Sequence, residues 1–165
     1  MRTQRWITWM ILGLVVVLLA APASGGGERG STKRTSRLDE ELVKVGIQLY
    51  NLNMQVPKLY AKEFAKEHGE AGEGLFSELF NDAITVLQLA IKQNERNVLA
   101  RFHLGKAYYA KSYEGEGTWT RSLVDKAEEQ FSLVVLQAEK HPVPRNLLVK
   151  SQEMLEEVRK IQKGY

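Results

Sequence analysis

The stretch from Ala90 to Tyr109, AIKQNERNVLARFHLGKAYY, constrains the fold more than any other part of the chain. It reads as the end of one helix, a turn over Gln93–Asn97 and the start of the next helix. Small residues, Ala90, Ala100, Gly105 and Ala107, sit where two helices must touch. Bulky ones, Leu99, Phe102, Leu104, Tyr108 and Tyr109, flank them. Small side chains let two helices approach closely, and large ones fill the gaps that remain. So short a connection predicts paired helices.

The flanking sequence extends this pattern in both directions. Ser36 is a predicted N-cap, with Asp39, Glu40 and Glu41 in the first turn, where the helix dipole favours acids. Leu38, Leu42, Val45, Leu49 and Leu52 follow at helical spacing. Pro57 breaks that helix or opens a short second one ending near Gly69. Glu70–Gly74 is expected as a loop. Leu75–Lys92 is amphipathic, with Leu75, Leu79, Ala83, Val86, Leu87 and Ala90 on one stripe. Helices are expected at Val98–Lys111 and Ser122–Glu139, separated by a loop over Ser112–Trp119, with Thr118 or Thr120 as the cap. Pro142 and Pro144 stop the second of these. Arg145–Gln162, apolar at Leu147, Leu148, Met154, Leu155, Val158 and Ile161 with charge between, reads as a polar closing helix.

Two halves of this body repeat one order of features. The first has Val45-Gly46 in a helix, a loop with Gly72-Glu73-Gly74, the aromatic Phe76, then a helix with Ala83, Leu87 and Ala90. The second has Leu104-Gly105, Gly115-Glu116-Gly117, Trp119, then Ala127, Phe131 and Val134. Internal repetition of this kind is the signature of stacked helix pairs. With Tyr108 three residues after Gly105, the pattern resembles the tetratricopeptide repeat. It departs from that pattern at Arg101, where an aromatic is usual, and at Glu95, where a proline usually closes the unit. The loops are also longer than a repeat of about 34 residues allows. The resemblance implies an all-α fold. It would be a short right-handed solenoid of antiparallel helix pairs, about two degenerate units with extra and C-terminal capping helices. The repeat-packing residues it implies are Gly46, Ala83, Leu87, Ala90, Leu104, Gly105, Tyr108, Ala127 and Phe131.

The N-terminus carries a different signal. Met1–Arg5 is basic, Trp6–Ala23 is uncharged, and Ala21-Pro22-Ala23 is a small-x-small pattern. This reads either as a signal peptide cleaved before Ser24 or as an uncleaved membrane anchor spanning residues 6–23. Residues 24–37, rich in glycine, serine and basic side chains, read as a flexible tether before a domain at residues 38–165. Both readings export that domain in a bacterial host, to the periplasm or cell envelope, or to the inner membrane if the segment stays. The net charge of +3 falls to +1 without Arg2 and Arg5. The remaining charges are interspersed, which argues against a nucleic-acid partner. Without cysteine there is no disulfide, thiolate metal site or cysteine nucleophile.

Catalytic chemistry finds little support. His68, His103 and His141 are far apart in sequence and match no metal-ligand spacing. The Gly-Glu-Gly segments lack the Lys-Ser/Thr of a phosphate loop and read as turns that need a positive φ. No catalytic residue, metal site or cofactor is predicted. The resemblance implies a scaffold for a protein or peptide partner, with a concave groove lined by Leu99, Phe102, Lys106 and Tyr109 in the second unit. Val43, Ile47, Tyr50 and Asn51 would line it in the first. Phe102 and Tyr109 read equally well as core, because aromatics at helical spacing usually are. The alternative function is an accessory subunit of an envelope complex, binding a lipid or small solute in an apolar cavity between helices.

Overall fold

The computed structural model describes residues 37–55, 71–115 and 117–164. The segment expected to direct export, most of the expected tether and the short helix expected from Pro57 lie outside them. The fold is all-α, with five helices among the described residues. They are α1 (residues 37–55), α2 (Ala71–Gln93), α3 (Val98–Ser112), α4 (Arg121–Ala138) and α5 (Arg145–Gln162). Between α3 and α4 the chain forms a small antiparallel hairpin of β1 (Tyr113–Gly115) and β2 (Thr118–Trp119).

Two boundaries differ from expectation. Ala71–Gly74, expected as loop, is the first turn of α2. The first four N–H groups of a helix need no intrahelical partner, so glycines there cost less cooperativity than in the interior. Ser112–Trp119, also expected as loop, is largely the β-hairpin. Gly117 lies at φ 80°, as its turn requires. The other ends fall within one residue of the pattern, and Pro144 takes the N-cap position of α5. Asn97 caps α3: its side-chain oxygen accepts from the Ala100 N–H at 2.9 Å.

Side-chain contacts set the directions of the helices. In α1 against α2, Gly46 meets Leu87 and Tyr50 meets Phe80. In α3 against α4, Gly105 meets Phe131 and Lys126 lies over Tyr108. Arg159 and Gln162 of α5 bond Glu128 and Asp125 of α4. In each case later residues of one helix face earlier residues of the other, so the neighbours run antiparallel. Tyr50 of α1 reaches His103 and Lys106 of α3. Tyr109 of α3 reaches Glu157 of α5. Thus α1, α3 and α5 run one way, and α2 and α4 run the other.

The two glycine contacts are as tight as packing permits. A Cβ on Gly46 would lie 2.6 Å from Leu87 Cγ, and one on Gly105 would lie 2.7 Å from Phe131 Cε1. Leu87 and Phe131 are fully buried, with Val124, Val134 and Val158 in the same core. Each such side chain contributes about 1.5–3 kcal/mol by leaving water. A smaller cluster of Val43, Ala90 and Ala100 joins α1 to the α2–α3 joint.

Polar contacts hold that joint. Asp39, buried in the first turn of α1, accepts from the side-chain amides of Asn94 (2.8 Å) and Asn97 (3.0 Å). The Glu95 carbonyl accepts from Arg101 Nε and Nη2 at 3.1 and 2.9 Å, and from Gln137 at 3.2 Å. One turn is therefore tied to α1, α3 and α4 together.

Candidate partner-binding face

The expected groove residues divide into three sets. Val43, Tyr50 and Phe102 are buried, at 2%, 7% and 6% exposure. Phe102 packs on Phe131, with ring centroids 5.9 Å apart, and Val43 packs with Ala90 and Ala100. All three belong to the core: for Val43 and Tyr50 this corrects their expected place in an open groove, and for Phe102 it selects the core over the groove. Val43 and Phe102 precede Gly46 and Gly105 by three residues, which turns them toward the partner helix of their own hairpin. Ile47 is half-buried against the same small cluster as Val43. Asn51 and Leu99 are exposed, with Leu99 at 42%.

The third set meets at Lys106. Its ammonium lies 4.6 Å from the centroid of the Tyr50 ring and 5.8 Å from that of Phe102. The ring faces attract the cation and cover one side of it. Burial lowers the Lys106 pKa, and the positive charge of Lys150 on α5 lowers it further. Among the described residues no carboxylate lies within ion-pair distance of it. Desolvation also raises the pKa of Tyr50.

His103 completes this cluster, and its sequence position alone singled out no role for it. Its ring sits edge-on to Phe102 at 5.3 Å and to Tyr50 at 6.5 Å. Its Nδ1 is buried without a hydrogen-bond partner among the described residues. Burial, with the Lys106 charge added, pushes its pKa down to about 4. It is therefore a neutral imidazole at pH 7, a packed ring beside a cation. Lys150 was missed as well, because its sequence neighbourhood reads as ordinary solvated helix.

Tyr109 belongs to a separate aromatic group. Its ring packs on Trp119 at 5.1 Å, and Trp119 packs on Tyr113 at 4.9 Å. The Tyr109 hydroxyl donates to Glu157 Oε1 at 2.7 Å. Burial raises its pKa strongly, and the Glu157 carboxylate adds to that. This bond fixes α5 beside α3. Ser112, at the end of α3, anchors the hairpin: its hydroxyl donates to the Tyr109 carbonyl, and its own carbonyl accepts from Thr120 N–H at 2.7 Å.

Among the described residues no cluster of acids and histidines could hold a metal ion. No described helix is long and apolar enough to cross a membrane. His141 is exposed just past α4, and His68 lies outside the described residues. No protein-family model, curated protein or solved structure matches this chain.

Proposed function

We propose that this chain is an exported or membrane-anchored scaffold, similar to tetratricopeptide-repeat proteins, that holds a protein or peptide partner on the face of α1, α3 and α5. In this reading its helices form a short right-handed solenoid of about two degenerate units, closed by α5. Residues 1–23 deliver it to the cell envelope, and residues 24–37 tether it. The reading excludes catalysis and nucleic acid as its tasks.

The observation that carries it is the Lys106 ammonium, half-buried on aromatic faces beside Lys150, with no carboxylate within ion-pair distance among the described residues. A charge held this way attracts a partner's carboxylate or carbonyl oxygen, and exposed Leu99 adds contact area, while the buried Tyr50 and Phe102 rings hold the ammonium in place. The half-buried position strengthens that attraction, because solvent screens it less than an exposed pair.

The test is site-specific photocrosslinking in cells that produce the full chain, with the probe at Leu99 or Asn51. A probe at Thr85, exposed on α2, is the control. Adducts are expected from the first two positions and not from the third. Lys106→Glu should abolish them while circular dichroism shows the same helicity. Adducts that persist in folded Lys106→Glu, or that arise equally from Thr85, would rule the face out. The mass of the mature chain reads whether residues 1–23 are removed.

A further inference from the structure

On the other side of α3 lies an open cleft that the partner-binding face does not use. Arg101, Leu104 and Tyr108 project roughly opposite to Lys106, as helical spacing dictates. With residues of α2 and α4 they line a cleft of about 310 Å³. That volume is at the lower end for small-molecule sites. Its deep wall is Leu104, Tyr108 and Gln130, all buried, and its mouth is Lys126, Glu129 and Gln88, all exposed. Polar walls of this kind do not suit the lipid that an apolar cavity would hold.

The deep polar groups are held in place. Arg101 is fixed from two sides: Nε and Nη2 bond the Glu95 carbonyl, and Nη1 reaches Gln130 Oε1 at 3.4 Å. One N–H remains on each terminal nitrogen. Gln130 is 8% exposed, so the group orienting the guanidinium is itself immobilised. Tyr108 accepts from Gln88 Nε2 at 2.8 Å, which leaves the phenol proton free to be donated. Lys126 Nζ, at the mouth, lies 5.7 Å from the Tyr108 ring centroid. Neither Arg101 nor Lys126 has a carboxylate within ion-pair distance among the described residues, although Glu129 lines the same cleft.

Arg101, Lys126 and Tyr108 thus line one cleft, with the Glu129 carboxylate beside them. We infer that the cleft between α2, α3 and α4 binds a small organic carboxylate, held by Arg101, Lys126 and Tyr108. A fixed guanidinium suits a carboxylate because its remaining N–H groups need little further ordering. Glu129 at the mouth repels a second negative group and attracts an amino group. A ligand carrying both, such as an acidic amino acid, therefore complements the lining better than a plain dicarboxylate. The inference is independent of the partner face, since no residue is shared between the two sites.

The experiment is isothermal titration of the full chain in detergent at low salt with glutamate, glutarate and uncharged glutaramide. Glutamate should bind saturably with a dissociation constant of about 1 mM or below, glutarate more weakly, and glutaramide not at all. Arg101→Gln should weaken glutamate binding about tenfold or more, the loss of a charged hydrogen bond. Lys126→Met, at an exposed position, and Tyr108→Phe, which keeps the ring, should each weaken it about threefold without altering the melting temperature by more than a few degrees. Two results overturn the inference. One is no saturable heat from glutamate or glutarate up to about 20 mM. The other is unchanged affinity in folded Lys126→Met and Tyr108→Phe.

Discussion

The α1–α2 hairpin and the α3–α4 hairpin rest on the same contact, filled differently. In the first, Gly46 admits the branched end of Leu87; in the second, Gly105 admits the flat ring of Phe131. The larger ring reaches further, and Phe102 closes on it at 5.9 Å. Val43, in the corresponding place, packs with Ala90 and Ala100 and has no aromatic in its cluster. The same correspondence joins Tyr50 and Tyr109. Tyr50 lies under Lys106 of the next odd-numbered helix, and Tyr109 bonds Glu157 of the one after. Equivalent positions therefore do equivalent structural work, but only the first pair leaves a cation with an open side. The asymmetry is structural: Tyr109 meets a carboxylate, and Tyr50 meets an ammonium.

The largest expected effects lie at the glycine contacts. Phe131→Ala should cost about 3–5 kcal/mol and Leu87→Ala about 2–5 kcal/mol, read by urea denaturation of the chain in detergent. Gly105→Ala should cost about 1–3 kcal/mol, because the buried Phe131 ring has nowhere to move. Adding Phe131→Leu should recover part of that loss. If the double variant is no better than the sum of the two single ones, the two hairpins are not built on interchangeable contacts.

Phe102 and Tyr109 separate next. Phe102→Ala should lose about 3–5 kcal/mol, as a core aromatic does. Tyr109→Phe keeps the ring, loses the bond to Glu157 and should cost about 1–2 kcal/mol. Equal losses at both positions would erase the distinction between core and inter-helix contact.

Asp39 sharpens the comparison from the side of the joint. Asp39→Ala strands the Asn94 and Asn97 amides and should cost about 1–3 kcal/mol, with hydrogen exchange rising first at residues 94–100.

Acid should act on the same cluster through His103. Its folded pKa of about 4 lies below the ordinary 6.5, so the fold favours the neutral ring. The stability gained is complete above pH 6.5 and is lost as pH falls from 6.5 toward 4. Melting temperature should therefore drop over that window in the native chain and drop less in His103→Gln. Glu128, whose pKa is lowered chiefly by Arg159, adds its own loss only below about pH 4.5. The smallest effect belongs to Glu41→Gln. It removes an exposed pair with Lys44 and should leave the denaturation midpoint unchanged.

Much of the architecture was legible in local chemistry. Pro144 and the charge pattern of Arg145–Gln162 marked α5 to the residue. The small residues of Ala90–Tyr109 marked the α2–α3 joint. The two departures from the repeat pattern, Arg101 and Glu95, proved to be one contact, in which the Arg101 side chain closes the turn at the residue 95 carbonyl. No periodicity rule reports such a bond, because it joins a side chain to a backbone group across a turn. The site was less legible. Phe102 read equally well as groove or core, because helical spacing gives a face but not what covers it.

The sequence by itself determined where the helices start and stop, except at the first turn of α2, and which positions must be small. Caps, prolines and glycines act within a few residues, so their effects survive without the fold. Only the tertiary structure decided that Lys106 lies on Tyr50, that His103 is neutral, and that Arg101, Lys126 and Tyr108 share one cleft. These facts depend on burial and on charges brought from other helices, and both exist only once the helices have packed.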